Sequence, residues 1–191
     1  MFEYEVKVRL RGMNEVKEVE RKLLDLGFKY VESRYEEDYY VDLTSCTNVG
    51  KDSVLRIRKV ASEDGVVRGE LTFKGPRLSK EVKLREEVNV YINKPELFVD
   101  IFSKLGFKLL ILKKSRKVYS RNTEKVYIDH VYGLGYFLEY ELINPKDLNT
   151  FKYMFNKLVK ELRLSSHKPI IKSYLELMLE GGPHESNSAD D

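Results

Sequence analysis

Charge returns at every second residue in stretch after stretch of this chain, and that period constrains the fold more than any other feature. Successive side chains of a β-strand point to opposite faces, so a period of two sorts a strand into two faces. Glu3, Glu5, Lys7 and Arg9 share one face of a strand over residues 2–10, and Tyr4, Val6, Val8 and Leu10 share the other. Arg56 and Arg58 alternate with Leu55 and Ile57, and Thr72 and Lys74 with Leu71 and Phe73. Arg85 and Glu87 alternate with Leu84 and, less cleanly, Glu86; Lys114 and Arg116 keep phase in a later strand. Asp129 lies opposite Ile128, and Glu139 and Glu141 lie opposite Leu138, Tyr140 and Leu142.

The remaining periodicity orders the elements. Strands are expected at about 2–10, 28–43, 53–60, 67–74, 82–92, 107–120, 124–131 and 136–143. Apolar residues at helical spacing place a helix from Met13 to Leu26, and a second carries Pro95 near its start and stops at Gly106. Asp147 to Leu164 and Ile170 to Leu179 read as closing helices, and residues 181–191 as a disordered polar tail. Leu26-Gly27-Phe28-Lys29 and Leu105-Gly106-Phe107-Lys108 repeat at the two helix-to-strand junctions, which suggests a pseudo-twofold arrangement. The expected fold class is α+β: an eight-stranded antiparallel β-barrel, or tunnel, with a polar interior, flanked by helices, in a single domain over residues 1–180.

Any one of these strands fits an ordinary sheet whose polar face meets solvent. Taken together they fit that less well. A solvated face accepts Ser, Thr, Gln, Lys or Glu almost interchangeably, whereas these positions are mostly Arg, Lys and carboxylates. Arginine is the side chain suited to bidentate phosphate contact, and it supplies Arg56, Arg58, Arg85 and Arg116. If the charged faces turn inward, the helices must cover the apolar faces from outside. Lys7, Arg56, Arg58, Lys74, Arg85, Lys114 and Arg116 would then repel one another unless a polyanion sat among them, and a linear triphosphate meets that need. The carboxylates Glu3, Glu5, Glu139 and Glu141 read as ligands for a hard cation, Mg²⁺ or Mn²⁺, that takes oxygen donors and bridges to phosphate. Gly-x-x-x-x-Gly-Lys does not occur, which argues against a P-loop enzyme.

Composition narrows the partners. The chain has 191 residues, enough for one sizeable domain, and 34 basic against 31 acidic residues give a formal net charge of only +3. A nucleic-acid binder would show a larger basic surplus, so no nucleic-acid partner is expected. No run of about 18 apolar residues suggests a membrane span, and the charged start at Glu3, Glu5 and Lys7 leaves no signal segment, so a cytoplasmic location is expected. The single cysteine, Cys46, cannot form an intramolecular disulfide and reads as an incidental loop thiol. His130 follows Asp129 and so points to the opposite face; His167 and His184 read as peripheral. A homodimer through the outer helices would be ordinary.

Glu3-Tyr4-Glu5-Val6-Lys7 resembles the Glu-x-Glu-x-Lys signature of the CYTH, or triphosphate tunnel metalloenzyme, superfamily. Leu55-Arg56-Ile57-Arg58, Leu71-Thr72-Phe73-Lys74-Gly75-Pro76 and Arg85-x-Glu87 follow in the family's order. So do Lys114-x-Arg116 with Tyr119, Asp129 ahead of Gly133-Leu134-Gly135, and Phe137-Leu138-Glu139-Tyr140-Glu141. The resemblance covers roughly residues 2–180 and implies an antiparallel tunnel open at both ends that requires Mg²⁺ or Mn²⁺. It implies Glu3, Glu5 and Lys7 as catalytic, and Glu3, Glu5, Glu139 and Glu141 as metal ligands. It implies Lys7, Arg56, Arg58, Lys74, Arg85, Lys114 and Arg116 as phosphate contacts. Glu87 and Asp129 would stand near a second metal or support the basic residues. Arg9 keeps phase but lies outside the signature. Asp38 and Tyr39 match a strand motif loosely, with Glu36 where a Gln is often found. Tyr174, in Ser173-Tyr174-Leu175-Glu176-Leu177, matches a C-terminal pattern and reads as helix packing.

The family includes inorganic triphosphatases, thiamine triphosphatases and class IV adenylyl cyclases, which hold the same triphosphate. The expected activity is metal-dependent hydrolysis of a triphosphate-containing small molecule, inorganic triphosphate first. Adenylyl cyclase is the alternative, toward which the Leu-Thr-Phe-Lys-Gly-Pro stretch leans. A non-catalytic polyphosphate-binding module stands third, because all four carboxylates are present.

Overall fold

The computed structural model describes residues 3–50, 52–76, 86–143 and 146–181, with Glu3 as backbone only. The expected site residue Arg85 and the expected polar tail beyond Gly181 lie outside the described residues. In chain order the elements are β1 (Glu3–Leu10), α1 (Met13–Asp25), β2 (Lys29–Val41), β3 (Val54–Ser62), β4 (Val67–Lys74), β5 (Glu87–Ile92), α2 (Pro95–Lys104), β6 (Leu109–Arg121), β7 (Glu124–Val131), β8 (Gly135–Ile143), α3 (Leu148–Glu161), β9 (Pro169–Ile170) and α4 (Tyr174–Gly181). The expected strands are present within a few residues among the described residues, residues 82–85 of the strand expected over 82–92 lying outside them, and the closing helix expected from Ile170 begins instead at Tyr174.

All pairings among the described strands are antiparallel, in the order β5-β4-β3-β2-β6-β7-β8-β1-β9. The sheet curls far enough that β1 at one end and β3, β4 and β5 at the other line a common cavity. Among the described residues, however, no hydrogen-bonded pair joins β5 to β1. The two-residue β9, which alternation does not signal, pairs with Lys7 and Val8 on the edge of β1 that a closing strand would need. The expected eight-stranded closed barrel is thus a nine-stranded curled sheet among these residues.

The helices cover the apolar faces. On β1, β7 and β8, Val8, Val126, Leu138 and Tyr140 are almost wholly shielded beneath α1 and α3, which contribute Val19, Leu23, Phe155 and Leu158. The opposite flank packs Ile57, Leu71 and Val41 against Phe98, Val99 and Phe102 of α2. Burying a large aliphatic side chain of this kind stabilises by about 1.5–3 kcal/mol. The repeated Leu-Gly-Phe junctions share one physical cause. Gly27 and Gly106 have φ of 83° and 85°, the left-handed region that glycine enters most cheaply. Each helix then ends with paired turns: Phe28 N–H donates to Leu23 C=O and Gly27 N–H to Leu24 C=O; Phe107 donates to Phe102 and Gly106 to Ser103.

Candidate active site

With the apolar faces covered, the charged faces are left inside. They surround a cavity of about 820 Å³, lined by Glu5 and Lys7 of β1, Arg56 and Arg58 of β3, Lys74 of β4, Lys114 and Arg116 of β6, and Glu139 and Glu141 of β8. Of the expected phosphate-contact residues, six are therefore brought together: Lys7, Arg56, Arg58, Lys74, Lys114 and Arg116. The Glu3 side chain and all of Arg85 are outside the described residues. Arg9, in phase with these groups, sits at the exposed end of its strand over the Phe137 ring and donates to the Leu134 carbonyl.

Each interior cation is held by carboxylates. Lys7 Nζ lies 2.7 Å from Glu5 and 3.1 Å from Glu139. Arg116 forks onto Asp129, with Nε at 2.7 Å and Nη2 at 2.6 Å, and reaches Glu139 at 2.9 Å. Lys114 contacts Glu36 at 2.5 Å and Asp38 at 3.1 Å, and both carboxylates also hold Arg58. Lys74 pairs with Glu87 at 2.8 Å, and Arg56 with Glu70 at 2.8 Å. Burial alone would push the Glu36 and Asp38 carboxyls up, but Arg58 and Lys114 beside them override it and hold both well below the ordinary carboxylate range. Glu87 is likewise lowered, its partial burial outweighed by Lys74. Burial disfavours charge on Arg58 and Arg116, yet their carboxylate partners raise both further, so both stay cationic. The Nε of Arg56 is buried without a hydrogen-bond partner among the described residues.

Glu5 and Glu141 face each other at one register position of β1 and β8, and Glu139 faces Lys7 at the next inward position. Directly opposed residues bring their Cβ atoms to about 5 Å. An all-oxygen set of this kind suits a hard divalent ion. It is not preassembled, since among the described residues no three such groups already converge as ligands. Glu5 contacts Lys7, and Glu141 accepts from Tyr127 at 2.7 Å and Lys125 at 3.4 Å, so rotamer changes would have to free them. Asp129 differs. It is fully buried, and its oxygens are taken by Arg116 and by the Tyr174 hydroxyl at 2.7 Å. In this arrangement Asp129 anchors Arg116, and Glu87 similarly steadies Lys74.

Two features go beyond the sequence reading. Glu36 and Asp38 form the most deeply buried ionic cluster of the site, with Arg34 joined to Glu36 at 2.7 Å. Their signal was the period-two run Glu32, Arg34, Glu36, Asp38 and Tyr40. Tyr174 packs on Phe137, as expected of helix packing, and in addition lines the cavity. Beside it, Ser173 and Leu175 also line the cavity, and Leu177 and Ile170 pack on Leu112, Val131 and Phe137.

The site's chemistry agrees with what the chain resembles. The CYTH domain family model matches residues 1–174. A Methanocaldococcus jannaschii protein, provisionally named an adenylate cyclase, is 39% identical over 182 residues, covering 93% of this chain and 98% of its own. A solved Pyrococcus horikoshii protein superposes with a TM-score of 0.76 at 27% identity, covering 92% of this chain and 98% of that one. A Hippeastrum protein, provisionally named an adenylyl cyclase and described as having a dominant triphosphatase activity, shares the fold at 19% identity. Its TM-score is 0.68, with 96% of this chain and 97% of that one covered. No helix among the described residues is long and apolar enough to cross a membrane. The chain belongs to the CYTH domain family, whose members are triphosphate-binding enzymes, triphosphatases or adenylate cyclases, that generally depend on a divalent metal.

Proposed function

We propose that this protein is a divalent-metal-dependent triphosphatase that prefers inorganic triphosphate and tolerates nucleoside triphosphates. The observation that carries the reading is the convergence of Lys7, Arg56, Arg58, Lys74, Lys114 and Arg116 on one cavity that also holds Glu5, Glu139 and Glu141. The cations bind and orient the polyanion, Arg56 and Arg58 through planar forks and the lysines as point charges. Fixing the phosphates in this way removes much of the entropic barrier to in-line attack. Glu3, Glu5, Glu139 and Glu141 would hold Mg²⁺ or Mn²⁺, which when bound neutralises charge on phosphoryl oxygens and makes a bound water more acidic. In the reaction the water oxygen bonds to the terminal phosphorus and the bond from that phosphorus to the bridging oxygen breaks. Pyrophosphate leaves, orthophosphate forms, and a cavity carboxylate such as Glu5 accepts the proton from water. Lys7, set between Glu5 and Glu139, orients both and offsets their charge.

Adenylyl cyclase is the second reading. The name of the M. jannaschii relative favours it, as do Val31, Val60 and Val118 on the cavity wall, an apolar area where a base could rest. There the ribose 3′-hydroxyl would attack the α-phosphate and release pyrophosphate. The deciding experiment is product analysis of the purified chain with Mg²⁺ or Mn²⁺, on inorganic triphosphate and on ATP in parallel. Orthophosphate from triphosphate without cyclic AMP from ATP supports hydrolysis. Cyclic AMP with pyrophosphate overturns it, and tight binding without either product points to a non-catalytic polyphosphate-binding module.

A further inference from the structure

Tyr174 is the first residue of α4, and its surroundings form a closed circuit of contacts. Its hydroxyl donates to Asp129 Oδ2 at 2.7 Å, and Asp129 receives the Arg116 fork at 2.6 and 2.7 Å. Arg116 passes on to Glu139 at 2.9 Å, Glu139 to Lys7 at 3.1 Å, and Lys7 Nζ lies 5.0 Å from the centre of the Tyr174 ring. The ring packs edge-on against Phe137 at 5.1 Å. Asp129 is wholly buried, so water cannot readily replace a lost partner. The helix start that carries Tyr174 is itself locked: Ser173 N–H donates to Glu176 at 2.7 Å, and Glu176 N–H donates to the Ser173 hydroxyl at 3.2 Å.

We propose that Tyr174 is a positioning residue which couples the seating of α4 to the alignment of Arg116, through Asp129, and of Lys7 for a bound triphosphate. This rests on the triphosphate reading above and deepens it. A simple packing residue in this place needs only a ring; the hydroxyl on a buried carboxylate that already holds a substrate-facing arginine is the additional feature. When the hydroxyl is absent, Asp129 is free to tip toward Arg116 alone, and Arg116 loses its fixed reference to α4 while Lys7 keeps its contact with the ring.

The test measures calorimetric binding of inorganic triphosphate to the full chain as wild type, Tyr174→Phe, Arg116→Lys and the double variant. Tyr174→Phe keeps the ring and removes only the hydroxyl. The expected result is roughly tenfold weaker binding, the scale of one charge-assisted hydrogen bond, at a nearly unchanged unfolding midpoint. In the Arg116→Lys background the same change should alter binding less than about twofold, because a coupled pair is non-additive. Asp129→Asn gives a second background with the same expectation if Arg116→Lys does not fold. Unchanged binding in Tyr174→Phe, or the same loss in every background, would overturn the inference. A wild type that binds no triphosphate would instead overturn the reading beneath it.

Discussion

Asp38 and Arg58 face each other at one register position of β2 and β3, joined by Nε to Oδ1 at 2.5 Å and Nη2 to Oδ2 at 2.8 Å. Lys114 meets the same carboxylate from β6 at 3.1 Å, so one buried anion fixes cations from both neighbouring strands. Taking either charge away leaves the others buried without balance, which costs more than the pair itself contributes.

Asp38→Asn is therefore expected to destabilise the fold by about 3–5 kcal/mol, read from urea midpoints at pH 7. The pH dependence has a definite sign. Both Asp38 and Glu36 have folded pKa values below their unfolded ones, so the unfolded chain binds more protons in acid. Their contribution is complete above the ordinary carboxylate range near about 4 and is lost as pH falls toward the depressed folded values. Wild-type stability should rise with pH through that window, and Asp38→Asn should rise less steeply; parallel curves would contradict the assignment.

Glu5→Gln and Glu141→Gln separate cation binding from phosphate binding. Each keeps its size while losing charge, and neither side chain is wholly buried. Apparent Mg²⁺ or Mn²⁺ affinity should fall by at least about 100-fold, since even indirect supports of a metal are worth about 10–100-fold. Triphosphate affinity measured without metal should be nearly unchanged. Equal metal activation curves for variant and wild type would remove these carboxylates from the donor set.

Much of this was legible in the chain because it is local. The inward phase of β1, β3, β6 and β8 is written in alternation, and the ends of α1 and α2 in Leu-Gly-Phe. On β2 the outer phase also carries polar Tyr35, Glu37 and Tyr39, so alternation alone does not say that Glu36 and Asp38 are the buried set. The contact of Tyr174 with Asp129 spans 45 residues and has no local signature. Pro169 and Ile170 are too few to show a period, so β9 and its occupation of the β1 edge could not be read.

The end of α3 repeats the cap of α1 and α2 with the wrong residue. Leu164 N–H donates to Val159 C=O and Arg163 N–H to Lys160 C=O, but the left-handed position, φ of 62°, is held by exposed Arg163. An L-residue with a Cβ there costs about 1–2 kcal/mol, partly offset by the greater unfolded freedom of glycine. Arg163→Gly should accordingly raise stability by up to about 1 kcal/mol, seen as a higher thermal midpoint with catalysis unchanged. A lower midpoint would mean that the arginine makes a contact worth more than the strain.

Arg56 and Lys74 test substrate binding with less risk to the fold than Arg58 or Lys114: the buried Asp38 lies 4.0 Å from Arg56, against 2.5 Å from Arg58 and 3.1 Å from Lys114. Arg56 Nη2 is divided between Glu70 at 2.8 Å and the Thr72 hydroxyl at 3.0 Å. Arg56→Lys keeps the charge and removes the fork; Lys74→Met keeps the stem and removes the charge. Each should raise KM for triphosphate about tenfold with kcat within about twofold, the pattern of a contact equally strong in ground and transition states. The Lys74→Met penalty should shrink as salt rises, because Lys74 is partly exposed and its field is screened. The Arg56→Lys penalty should persist, because geometry rather than net charge has been lost. A fall in kcat at constant KM would move either residue from substrate binding to transition-state stabilisation.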